Sequence, residues 1–279
     1  MSEIDPSKVK ELMDKTAPLI KEIEKLRKSK LIVFWCESSI NYPCAYKIYK
    51  IFRRLPHIEN LDLLIESGGG DINATAKINK IIRSYCDHFN IIVPFFAKSA
   101  ATLLALGADN LLMCKAGELG PVDPIVQDPA TNLFVPAHSI EDALEFISNT
   151  EDPLIKVSLA DKLNPLLMGA YIDAQKQGIQ YLEEILADNP KKKIAIETFT
   201  TKFRSHGYPI DREQARETLG VERVIFPDDV LEEKLCDLHE FYADLSTEIK
   251  EDILILQTDH LRIFSINGKE IFKQLEKPN

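Results

Sequence analysis

Two short segments of this 279-residue chain carry the residue types that acyl transfer requires. The first is Ile65-Glu66-Ser67-Gly68-Gly69-Gly70-Asp71. Three glycines in a row can adopt positive φ and approach a ligand closely, and free N–H groups at such a turn can hold an anion. Neither G-x-G-x-x-G nor G-x-x-x-x-G-K-S/T is present, so a dinucleotide or phosphate site is disfavoured. A tight strand-to-helix turn also explains the run. The second segment is Phe96-Ala97-Lys98-Ser99-Ala100-Ala101-Thr102. A serine there stands at the C-terminal edge of a sheet, where open α/β folds bind ligands. A helix N-terminus at that point favours a developing alkoxide or oxyanion, although a plain N-cap serine fits the same pattern. Taken together, the two corners offer a nucleophile beside two backbone donors, the combination acyl transfer needs.

The hydrophobic pattern supplies elements that can position these corners. Residues 6–29 read as a helix that Pro18 kinks or divides. Apolar runs at 31–35, 61–65, 90–96 and 111–114 read as strands, with helices over 43–55, 71–85 and 99–106. Strands apolar throughout, alternating with helices across short connections, predict a parallel sheet covered on both faces. Beyond Pro136 the pattern turns helical over 140–149, 153–162, 165–187 and 190–205. Further helices follow over 211–219, with Asp211 as N-cap, and over 228–245. The tail returns to strand at 253–257, 260–266 and 269–273, with Asn267-Gly268 as a hairpin turn.

Four segments closely resemble the serine dehydrogenase proteinase family, which stands with the Clp proteases and signal peptide peptidase A. They are Ser67-Gly68-Gly69-Gly70-Asp71, Ala97-Lys98-Ser99-Ala100, Leu106-Gly107-Ala108-Asp109 and Glu118-Leu119-Gly120-Pro121-Val122-Asp123-Pro124. The likeness runs over 31–126 and continues more weakly to 205–210 and 213–220. It implies an α/β, Clp/crotonase-like fold with a parallel sheet and helices on both faces, to which the hydrophobic pattern adds a helical arm and a C-terminal β-hairpin. The expected divisions are an N-terminal helical segment 1–30, a catalytic domain 31–226 and a C-terminal helix and hairpin 227–279.

The resemblance further implies a serine peptidase with Ser99 as nucleophile and the amides of Gly69 and Ala100 as oxyanion hole. Lys98 looks like the lysine of a Ser-Lys dyad, but adjacent side chains diverge at a strand–helix junction, so it is expected to face the rim. Ala101 stands where glycine is commoner in relatives. Clp proteases carry a histidine base soon after the serine, and Pro121–Val126 holds none. Signal peptide peptidase A uses a lysine further on, matched here by Lys162, just before Asn164-Pro165, with Lys156 as second choice. A lysine base must be brought from about 10.4 to about 7–8, by burial worth roughly 4 kcal/mol. His206 is the rival base, since free histidine titrates near 6.5. Asp123 is read as a local Asx-turn residue. Two alternatives share the fold: a crotonase-type acyl-CoA enzyme, which the Ala97-Lys98-Ser99-Ala100 corner opposes, and a non-catalytic oligomeric scaffold. The resemblance implies a peptide or protein substrate, no metal or cofactor, and a homo-oligomer, for which the N-terminal helix and the 228–245 helix offer contact surfaces.

Composition bounds the rest. A 45% hydrophobic content is globular. A formal net charge of −10 opposes general binding to nucleic acid or anionic lipid. Five scattered cysteines, none in a C-x-x-C pair, suggest neither zinc nor a disulfide framework and fit a reducing cytoplasm. No apolar run is long enough to span a bilayer, and the charged start is neither signal nor anchor.

Overall fold

The computed structural model describes residues 6–127, 134–136, 138–249 and 251–275. The first five residues, part of the charged start, lie outside them. Helix α1 (Pro6–Arg27) leads into strand β1 (Lys30–Cys36), then α2 (Tyr42–Phe52), β2 (Ile58–Ser67), α3 (Ile72–Arg83) and β3 (Cys86–Val93). Next come β4 (Phe96–Ala97), α4 (Ala100–Leu106), β5 (Asn110–Met113) and β6 (Glu118–Leu119). Residues 121–208 form a second compact unit. It holds a two-stranded antiparallel ribbon, β7 (Ile125–Gln127) and β8 (Phe134–Pro136), and helices α5 (His138–Ser148), α6 (Pro153–Ala160), α7 (Pro165–Ile185) and α8 (Lys192–Thr200). The first unit resumes with β9 (Ile210–Asp211), α9 (Arg212–Leu219), β10 (Val224–Ile225), α10 (Asp229–Ile249), β11 (Ile253–Gln257), β12 (Arg262–Ile266) and β13 (Lys269–Gln274). The expected divisions at 30/31 and 226/227 fall inside this first unit.

Its sheet runs β10-β5-β3-β2-β1-β11-β12-β13, parallel from β10 to β1 and antiparallel beyond. The central strands are buried on both faces, which is why they read as unbroken apolar runs. Leu31, Val33 and Trp35 of β1 join a core with α1 and α10. The intervening Ile32, Phe34 and Cys36 are equally buried and point to the opposite face.

Three expectations change. Pro18 does not divide α1, which is helical from Pro6 to Arg27. Met13, Ile20 and Ile23 are fully buried on either side of it, so packing outweighs the one hydrogen bond that proline removes. The C-terminal hairpin is not an appendage. It is a three-stranded meander joined to the main sheet through β1 and β11, from Val33↔Gln257 to Cys36↔Leu254. Within it, Asn267 and Gly268 both adopt positive φ, as a two-residue hairpin turn requires. Finally, the apolar faces of α1 and α10 turn largely toward each other. Val9, Met13, Ile20 and Ile23 pack with Leu231, Leu235, Leu238 and Tyr242 in one core.

A buried carboxylate fastens the N-terminal end of this sheet. Asp62 of β2 is fully buried. It accepts from Arg27 Nε at 2.9 Å, Ser29 Oγ at 2.6 Å and Asn90 Nδ2 at 2.9 Å. Asp62→Ala leaves these donors unmatched and is expected to cost about 3 kcal/mol, as for a broken buried pair. Urea denaturation measures it, and a loss below about 0.5 kcal/mol would contradict this account.

Candidate active site

Strand pairing sets the two corners side by side. Ser67 at the end of β2 pairs with Cys36 of β1 on one side and Ala97 of β4 on the other. The Lys98 N–H donates to the Ser67 carbonyl at 2.9 Å. Beyond Ser67 the glycines have separate duties. Gly69 has φ +106°, and a Cβ there would lie 2.7 Å from the Lys98 carbonyl oxygen, 2.8 Å from Ser99 Cβ and 2.9 Å from Ala100 N. Its backbone therefore lies directly against the serine corner. Gly70 has φ +150° and packs against the backbone of Ile40, while a Cβ on Gly68 would meet nothing within 4 Å. Asp71 closes the corner as the N-cap of α3, accepting from the Ala74 N–H at 2.7 Å.

Ser99 is the N-cap residue of α4, but its hydroxyl does not do the capping. Its backbone holds φ 53° and ψ −122°, and its side chain makes no capping hydrogen bond. Such a conformation costs a non-glycine residue about 1–3 kcal/mol and persists only where the surroundings enforce it. They do so here through Thr102, whose hydroxyl donates to the Ala97 carbonyl at 2.6 Å and accepts from the Gly120 N–H at 3.0 Å. Ala100 follows as the first residue of α4, so its N–H has no partner within the helix.

The structure thus brings Ser99, Gly69 and Ala100 together, with one detail that sequence did not reveal. The Gly69 N–H donates to Ser67 Oγ at 3.2 Å. Glu66 was also missed as a positioning group. It is 3% exposed, accepts from the Phe96 N–H at 3.2 Å, and stands 3.3 Å from His239 Nε2. Burial pushes its carboxyl above the usual carboxylate range, with His239 opposing.

The basic residues separate clearly. Lys98, with its side chain 16% exposed, has Nζ 2.7 Å from Glu118 Oε1 and donates to the Leu119 carbonyl at 3.1 Å. Lys162 and His206 belong to the second unit. Lys162 is exposed beyond the end of α6. Lys156 is half-buried and donates to the Ser148 carbonyl at 2.7 Å. His206 is 22% exposed at its side chain, and its Nδ1 lies 2.8 Å from Oδ1 of Asp123, which is 6% exposed. This Asp–His pair spans 83 residues of sequence, and no local motif announces it. Asp123 therefore does more than shape a local turn.

A sequence model of ClpP-like SDH-type serine proteinases matches residues 5–248. Two uncharacterized proteins of Methanocaldococcus jannaschii are similar in sequence. One is 30% identical over 179 residues, covering 63% of this chain and 57% of its own length. The other is 28% identical over 180 residues, covering 63% and 56%. The chain thus spans little more than half the length of these relatives. Among solved structures, 1510-N membrane-bound stomatin-specific protease aligns with a TM-score of 0.47 at 15% identity, over 89% of this chain and 94% of that one. ClpP1 from Listeria monocytogenes aligns at 0.44 and 15%, over 77% and 98%.

Proposed function

The chain belongs to the ClpP-like, SDH-type serine proteinases, and from that membership we propose a serine peptidase in which Ser99 is the nucleophile. The observation that supports this most is the backbone of Ser99. It is held at φ 53° with its hydroxyl not used as a cap, against the backbone of Gly69. Ser99 Oγ adds to a peptide carbonyl carbon while its proton passes to a base. The amides of Gly69 and Ala100 take the oxyanion, and collapse expels the amine with that proton. Water then frees the serine by the same steps. To serve, the Gly69 amide exchanges a long neutral bond to Ser67 Oγ for a charged acceptor, which is the stronger partner. This chemistry needs neither metal nor cofactor.

His206 is the base we favour over Lys162. Asp123 holds His206 Nδ1 as the N–H, which leaves Nε2 to accept a proton. Lys162 lacks the burial a lysine base requires. Fluorophosphonate labelling with the adduct mapped by mass spectrometry tests both steps. The expected adduct is on Ser99 of the folded chain alone; no adduct would overturn the assignment. His206→Gln is expected to slow labelling by about 10²–10⁴-fold and Lys162→Met to leave it unchanged. The reverse result would make lysine the base.

Self-association is part of the proposal. In the second unit Leu154 and Val157 of α6 and Leu166 of α7 are 83%, 68% and 86% exposed, apolar side chains that a monomer leaves in water. Light scattering at micromolar concentration is expected to give a multiple of 31.6 kDa, and a monomer would contradict it. All five cysteines are free, and no helix among the described residues is long and apolar enough to cross a membrane. With the net charge of −10, these features support a cytoplasmic chain that meets peptides rather than nucleic acid.

A further inference from the structure

Helices α2 and α10 each present one narrow face to water, and the two faces are opposite in character. On α2 the exposed positions Tyr42, Tyr46, Tyr49 and the C-cap Arg53 follow a 4-3-4 spacing, which aligns them on one side of a helix. The three tyrosines are 58%, 59% and 38% exposed. Cations lie over two of the rings, Lys50 Nζ at 5.2 Å from the Tyr46 centroid and the Arg53 guanidinium at 5.9 Å from that of Tyr49. Residues 42–54 hold four basic residues and no acidic one, in a chain whose net charge is −10. Tyrosine and arginine are among the side chains most enriched at the centres of protein interfaces.

α10 carries the counterpart. Glu233, Asp237, Glu240 and Asp244 repeat the same 4-3-4 spacing, and all four are exposed. The neighbouring Lys234 is committed to Glu22 of α1, and none of the four carboxylates forms a salt bridge among the described residues. The other side of the helix, through Leu231, Leu235, Leu238 and Tyr242, is packed in the core with α1.

One copy cannot join its own two rows. α10 packs on the sheet face that carries Ile255 and Phe264. α2 lies on the opposite face, since its Lys47 donates to Ser265 Oγ at 2.9 Å, and Ser265 pairs with Leu254, each one residue along its strand from that core. Contact between the rows must therefore run from one copy to the next.

We propose that the Tyr42-Tyr46-Tyr49-Arg53 face of α2 docks on the Glu233-Asp237-Glu240-Asp244 face of α10 in a second copy of this chain. The tyrosine hydroxyls donate to carboxylates, and the Arg53 fork takes one of them by two parallel bonds. Each copy offers one row of each kind, so the contact is head to tail and propagates into a ring or an open chain. The proposal rests on the self-association proposed above, and adds to it a polar surface distinct from Leu154, Val157 and Leu166.

The test is sedimentation velocity of the full chain in about 50 and about 500 mM sodium chloride, between which charge screening rises steeply. The wild-type assembly is expected to loosen at the higher salt. Arg53→Glu and Asp244→Arg are each expected to weaken association by about tenfold or more, through like charges set opposite each other. Both side chains are exposed, and an unchanged melting temperature checks that each variant folds. Mixed in equal amounts, the two variants are expected to bind each other, because the α2 row of one and the α10 row of the other are intact. A parallel set carrying Leu154→Ser, Val157→Ser and Leu166→Ser removes the apolar surface. Charge reversals without effect in both sets, or a mixture that restores nothing, would overturn the proposal. An assembly that answers to the serine replacements and to neither salt nor charge reversal keeps self-association and rejects this contact. One that answers to charge reversal alone supports the contact and rejects the apolar surface. A wild-type monomer at low salt defeats both.

Discussion

Replacing Ser99 with alanine is expected to abolish turnover, by about 10³-fold or more, and to leave the fold and its melting temperature essentially unchanged. Only Oγ is lost, because the side chain makes no capping bond whose removal would loosen α4. Glycine at the same position gives a sharper result. The strain of φ 53° at a non-glycine residue is worth about 1–3 kcal/mol, against about 0.5–1 kcal/mol for the extra chain entropy of glycine. Ser99→Gly is therefore expected to be as inactive as the alanine variant and somewhat more stable. Peptide turnover and thermal denaturation of the three proteins measure both effects. Retained turnover in the alanine variant would remove Ser99 from the chemistry. A glycine variant less stable than the alanine one would show that the backbone there is not strained.

The second large effect is expected at Gly69. An alanine there needs φ +106° and places Cβ 2.7–2.9 Å from the Lys98 carbonyl oxygen, Ser99 Cβ and Ala100 N. Each of these is fixed by the corner, so the corner itself must move. Turnover should fall by about 10²–10³-fold, the effect of losing one oxyanion donor, with about 1–3 kcal/mol of stability lost to the strained backbone. Gly68→Ala is the internal control, because its Cβ meets nothing within 4 Å. It is expected to keep both activity and stability. Equal losses at the two positions would mean that the glycine run acts only through general flexibility, and the distinct place of Gly69 would fall.

What the amino-acid sequence determined by itself is local and periodic. Strands buried on both faces must be apolar throughout, so Leu31–Trp35, Leu61–Ile65 and Leu111–Cys114 stood out as runs, and the connections between them forced a parallel order. Asp211 announced its helix as a cap, and Asn267-Gly268 announced its turn, because each acts on residues two or three away. The motifs at 67–71 and 97–100 located the serine corner for the same reason: a turn at a strand end is specified where it occurs.

Other features needed the folded chain. β11 lies beside β1 although some 220 residues separate them in sequence, and a pairing of that kind leaves no local signature. The two-residue strands β6, β9 and β10 are too short for any period to register. The faces of α1 and α10 read as available surface until the two helices are seen packed in one core. The Asp123–His206 contact likewise depends on where loops end, not on spacing. The assignment of the Gly69 amide shows the same limit. Sequence indicates that glycine is required there, since only positive φ is at stake, but the direction of its N–H is set by Ser67 Oγ. Backbone conformation is encoded by neighbours along the chain, whereas the partner of each polar group is decided by whatever the fold brings alongside it.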